Sequence, residues 1–140
     1  MISRSTTLLL SAIILIIFFA GCNEDFSSQK DNYSISADDA HKLIETHAGD
    51  PNFMIIDVRS EDEYKQGHLK NAVNILYTSP DFTETMQQHG KEKTYLFYCL
   101  FGGRSMNAIQ KLLPLGFANV YNLDGGIEEW KEAGFDVISE

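Results

Sequence analysis

Thr94-Tyr95-Leu96-Phe97-Tyr98-Cys99-Leu100-Phe101-Gly102-Gly103-Arg104-Ser105-Met106 joins two different periodicities. Its first five residues are aromatic or β-prone, as a strand covered on both faces requires. Beyond the glycines, Met106, Ile109, Leu112 and Leu113 recur at helical spacing. A strand, a short glycine loop and a helix form the repeating unit of a parallel α/β sheet. The loop itself carries chemistry. Glycines let backbone N–H groups converge, and a helix N-terminus adds about half a positive charge. The same field stabilises a thiolate, the nucleophilic form of cysteine. An isolated cysteine is often only a small buried hydrophobe, and Gly-Gly often only a turn. Placement at the carboxyl end of a strand, where open α/β sheets bind ligands, favours Cys99 as nucleophile and Arg104 as its cationic partner.

Outward from this unit, strands and helices alternate. Residues 33–35 read as a short strand, and Ser36 with Asp38 and Asp39 caps a helix to about His47. Phe53-Met54-Ile55-Ile56-Asp57-Val58 is a near-continuous apolar run, the pattern of a central parallel strand. Ser60 and Glu63 form a capping box opening a short helix that Gly67 ends. Strands over residues 72–75 and 119–123, a polar helix from Pro80 to about Gly90, and a last helix over residues 127–133 complete the order. The alternation predicts one α/β domain over residues 33–140: a five-stranded parallel sheet with helices on both faces.

The first residues read as a targeting signal. Arg4 precedes residues 8–20, apolar apart from Ser11, a run short of the roughly 20 residues that a membrane-spanning helix needs. Phe19-Ala20-Gly21-Cys22 resembles the bacterial lipobox, with Phe19 where leucine is usual. That resemblance implies residues 1–21 as a cleaved signal and Cys22 as a lipidated residue, palmitate included. It also implies a lipid-anchored location in the cell envelope, on the periplasmic or outer face of a bacterial membrane. Residues 22–32 are polar and read as a flexible tether.

The 20 acidic residues outnumber the 11 basic ones, giving a net charge of −9. Such a surface argues against nucleic acid as a partner. The four histidines are scattered, without metal-ligand spacing, so no metal is expected. With Cys22 lipidated, Cys99 is the one remaining thiol of the two cysteines.

Three blocks then resemble the single-domain rhodaneses, the sulfurtransferase family. They are Asp57-Val58-Arg59 with Glu63-Tyr64 and Gly67-His68-Leu69, then Cys99 through Arg104-Ser105, then Gly116-Phe117 through Val120-Tyr121, Gly125-Gly126-Ile127 and Trp130. The resemblance implies that Cys99 carries a sulfur as a persulfide and that Arg104 complements an anionic donor. Backbone N–H groups of Leu100, Phe101, Gly102 and Gly103 would surround the sulfur. The donor would be thiosulfate or a persulfide, and the acceptor a thiol, cyanide or a protein, with no cofactor. Leu100 and Phe101 depart from the polar or basic residues common in the family, and this apolar mouth favours an organic persulfide over thiosulfate. Lys70-Asn71 replaces a usual glycine before Ala72. Arg59 and Glu63, four residues apart, are expected to pair locally. Asp57 is expected to stabilise the loop and His68 to pack beside Gly67.

Two other classes compete. Phosphatases and arsenate reductases with a related loop usually place five residues between cysteine and arginine, whereas four stand here. A noncatalytic binding module would use the fold for docking alone.

Overall fold

The computed structural model describes residues 31–140. The expectations for residues 1–30, including the signal and lipidation at Cys22, lie outside the described residues. Among the described residues, no helix is long and apolar enough to cross a membrane.

The elements in chain order are β1 (Ser34–Ile35), α1 (Ala37–Thr46), β2 (Phe53–Asp57), α2 (Glu61–Gln66) and β3 (Ala72–Asn74). Then follow α3 (Phe82–His89), β4 (Thr94–Tyr98), α4 (Gly103–Leu112), a 3-10 turn (Leu113–Leu115), β5 (Val120–Leu123) and α5 (Gly126–Glu132). Five strands make one parallel sheet in the order β1-β5-β4-β2-β3. The expected architecture is the observed one.

Period-two alternation divides the core. Tyr95, Phe97 and Cys99 pack with Ile56, Phe82, Met86, Ile109 and Leu112 on one face. Leu96 and Tyr98 pack with Ile55, Ala40, Leu123, Ile127 and Trp130 on the other. Both faces are therefore covered, which is why β4 reads as a continuous apolar run. Since the connection from β2 leads outward to β3 and that from β4 leads the other way to β5, a crevice opens at the carboxyl ends of β2 and β4. Cys99 follows β4, and Val58-Arg59 follows β2. Topology brings the two motif blocks together.

Small departures have local causes. The helix expected from Pro80 begins at Phe82, because Ser79 caps the preceding turn: its hydroxyl bonds Asp81 and its carbonyl accepts from Phe82 N–H at 3.2 Å. Asn71 holds φ at 65°, the one positive value outside glycine among the described residues. Asparagine tolerates this region better than most residues, so the turn survives the missing glycine.

Candidate active site

Cys99 is buried at the end of β4, on the face that packs against α4. Gly102 N–H donates to its Sγ at 3.1 Å. Gly102 adopts φ +93°, and a Cβ there would press to 3.1 Å from the Leu123 carbonyl, so the loop closes only with glycine. Burial pushes the Cys99 thiol up, but the Ser105 hydroxyl and the N–H groups of Ser105, Phe101 and Gly102 outweigh it. The net direction is below the ordinary thiol value.

The Ser105 hydroxyl has one hydrogen and three acceptors within reach. It donates to Asn122 Oδ1 at 2.6 Å, and lies 3.0 Å from the Gly102 carbonyl and 3.5 Å from Cys99 Sγ. Asn122, buried on β5, donates in turn to Ser34 Oγ at 3.0 Å. Both polar residues sit in a packed interior because each completes the other's hydrogen bonding.

From behind, α5 fixes the loop. Ile127 N–H donates to the Cys99 carbonyl at 2.9 Å and Glu128 N–H to the Leu100 carbonyl at 3.3 Å. A Cβ on Gly126 would fall 2.6 Å from the Cys99 carbonyl oxygen and into the Leu100 carbonyl. Close approach of two backbones explains this glycine. With their carbonyls turned toward α5, the loop residues present N–H groups to the sulfur.

Arg104 opens α4 and reaches to α2. Its two terminal nitrogens donate to the two carboxylate oxygens of Glu63 at 2.9 and 2.7 Å. These hydrogen bonds hold the Glu63 carboxyl at about 2, and the same contacts raise the guanidinium. The guanidinium also lies within interaction range of the Cys99 sulfur. Ser60 and Glu63 make the expected capping box, with Ser60 N–H donating to Glu63 Oε2 at 3.1 Å.

The expected Arg59–Glu63 pair does not form. Arg59 precedes the N-cap Ser60 and is not helical, so the four-residue spacing rule has no helix to act on. Instead Arg59 clasps Asp57 with contacts of 2.7 to 3.1 Å and donates to the Gly67 carbonyl at 2.6 Å. Asp57 thus stabilises the β2–α2 loop. His68 stacks on Tyr64 with ring centroids 3.7 Å apart, also as a packing residue.

At the mouth, Leu100 is half-buried and Phe101 is 69% exposed, while Gly103 is exposed at the start of α4. A cleft of about 330 Å³ runs beside Leu100, bounded by Glu63, Gln66 and Lys131. No three His, Cys, Asp or Glu side chains among the described residues gather into a metal-holding set. Glu63, Ser105, Asn122 and Gly126 were not singled out from the sequence as site residues. Gly126 had a visible signal, a Gly-Gly pair directly after a strand.

The profile of the rhodanese-like domain matches residues 36–133. A rhodanese-related protein from Thermoplasma volcanium is 30% identical, with a TM-score of 0.65 over 77% of this chain and 99% of that one. The thiosulfate sulfurtransferase of Pseudomonas aeruginosa shares the fold at 20% identity, with a TM-score of 0.64 over 76% of this chain and 19% of that one. A tRNA uridine(34) hydroxylase of Yersinia pestis (strain Pestoides F) is 33% identical over 114 residues. That match takes in 77% of this chain but only 30% of the hydroxylase, so the chain spans about three-tenths of such relatives. With residues 36–133 matched and the sheet order and loop in place, the chain belongs to the rhodanese family.

Proposed function

We propose that this chain is a sulfurtransferase that moves a sulfane sulfur through a persulfide on Cys99. The Cys99 thiolate attacks the outer sulfur of a donor, thiosulfate or a persulfide. The donor's sulfur–sulfur bond breaks, and its electron pair leaves with sulfite or with the donor thiolate. A new sulfur–sulfur bond now joins Cys99 to the transferred atom. An acceptor thiolate or cyanide attacks that atom, and the Cys99 thiolate departs unchanged. No outside oxidant or reductant enters the cycle.

The observation that carries this reading is the thiol's setting: a buried sulfur with Gly102 N–H at 3.1 Å and a glycine loop closed over it. Such N–H groups stabilise charge on the thiolate and on the persulfide's outer sulfur alike. The four residues between Cys99 and Arg104 make a smaller cradle than the related phosphatase loops, which supports sulfur over a tetrahedral oxyanion. Mass spectrometry after treatment with thiosulfate or polysulfide tests it. Cys99 should gain about 32 Da, one sulfur atom. Cys99→Ser should gain nothing, and an unmodified wild-type Cys99 would leave a binding module as the better reading.

The proposal extends to location. Supported by the resemblance of Phe19-Ala20-Gly21-Cys22 to a lipobox, residues 1–21 would be removed and Cys22 would carry the lipid that tethers residues 33–140 to the cell envelope. Cys22→Ser should then move the protein to the soluble fraction and abolish palmitate labelling while sulfur transfer persists. Continued membrane retention would overturn this part.

A further inference from the structure

We propose that Glu63 is a positioning residue that sets donor choice, clamping Arg104 so that the mouth disfavours inorganic dianions and accepts sulfur carried on an organic group. This rests on the sulfurtransferase reading above and names its donor class.

Glu63 approaches from α2, 41 residues away in sequence from Arg104. Its Oε2 accepts from Arg104 at 2.9 Å, from Ser60 N–H at 3.1 Å and from the Ser60 hydroxyl at 2.9 Å, while Oε1 accepts from Arg104 at 2.7 Å. The carboxylate cannot swing aside without undoing the cap of its own helix. Two of the five guanidinium N–H groups are therefore committed, and the pair as a whole is neutral. A dianionic donor entering the loop meets a compensated cation with a fixed carboxylate against it.

Carboxylates border the cleft beside the mouth from both sides. Glu63 of α2 and Glu128 of α5 border it, and Arg59, which also borders it, is held by Asp57. Lys131, on the rim of the cleft, is already paired with Glu128 at 2.8 Å. A small dianion would shed water here without an unshared cation to replace it. A donor with an organic group keeps fewer charges near Glu63 and has somewhere to put its carbon atoms. Phe101 is 69% exposed beside the thiol, and the cleft of about 330 Å³ runs past Leu100.

Glu63→Gln tests this, because glutamine keeps the length and an oxygen for the cap but removes the charge. The ratio of kcat/KM for thiosulfate to that for cysteine persulfide should rise roughly fivefold or more in the variant, the scale of deleting a partly screened charge. Sulfate, a dianion that donates no sulfur, should protect Cys99 from iodoacetamide at several-fold lower concentration in the variant. An unchanged or falling ratio, or unchanged sulfate protection, overturns the proposal. If neither protein takes sulfur from either donor, the sulfurtransferase reading fails, while the sulfate arm still decides the role of Glu63.

Discussion

The Asp57–Arg59 and Glu63–Arg104 pairs share the same closest contact, 2.7 Å, and are both two-toothed, the first through Nε and Nη2 and the second through the two Nη atoms, yet they stand in different media. The side chains of Asp57 and Arg59 are 0% and 5% exposed, against 31% for Glu63 and 36% for Arg104. In the first pair every charge is sealed, and Arg59 also serves the Gly67 carbonyl and lies over the Tyr98 ring at 5.7 Å. That arginine is part of the fold, because its donors are taken up by Asp57 and the Gly67 carbonyl although it borders the cleft. The second arginine faces solvent and the thiol together, so a substrate can compete for it. Contact length alone does not separate a structural ion pair from a functional one; burial does.

Breaking each pair from its arginine side should expose that difference most strongly. Arg59→Ala leaves the Asp57 carboxylate buried without its partner, and we expect a loss of about 3–5 kcal/mol in urea unfolding. Arg104→Ala should cost no more than about 1 kcal/mol, since water can replace the guanidinium at Glu63. Its effect belongs to the chemistry instead. Sulfur transfer should slow roughly a hundredfold, the scale of removing one preorganised donor. Cys99 should alkylate with a raised apparent pKa, because a fixed cation beside the sulfur has gone. Arg104→Lys should recover only part of the rate, as an ammonium cannot span Glu63 and the loop at once. Equal destabilisation by Arg59→Ala and Arg104→Ala would dissolve the comparison.

The comparison also marks what could be seen beforehand. The Cys99-to-Arg104 loop, the capping box at Ser60 and the alternation of five strands with helices followed from local patterns: apolar runs, helical spacing and glycine placement. The partners of the two arginines did not. Glu63 and Arg104 are brought together by the parallel pairing of β2 with β4 in the sheet, and no local spacing encodes a meeting 41 residues apart. The four-residue spacing of Arg59 and Glu63 does not pair them, because Arg59 lies before the helix cap. Ser105 and Asn122 escaped for the same reason as Glu63, since their contact joins α4 to β5.

A smaller effect sharpens the view of the thiol. Ser105→Ala removes a hydroxyl dipole 3.5 Å from Sγ and should raise the apparent pKa of Cys99 by less than Arg104→Ala does, because the hydroxyl's hydrogen is shared with Asn122. The alkylation rate of wild type and variant against pH reads this directly. A shift as large as that of Arg104→Ala would place the hydroxyl, not the guanidinium, as the main support of the thiolate.

The least effect is expected in acid, and it separates the pairs by sign and window. The Glu63 carboxyl sits at about 2 in the folded chain, held there first by the Arg104 hydrogen bonds, against an ordinary value of 4.5. A depressed folded value means that the unfolded chain binds the proton more readily. The stabilisation is therefore in place above about pH 4.5 and drains away as pH falls toward 2. Glu63→Gln has no such proton to gain. The difference in urea midpoint between wild type and Glu63→Gln should thus hold steady from pH 7 to about pH 5 and shrink below that. Because both side chains are about a third exposed, added salt should also shrink the difference at neutral pH. A salt-insensitive difference would mean that Glu63 and Arg104 behave like Asp57 and Arg59, sealed from solvent, and that no donor anion can compete for Arg104.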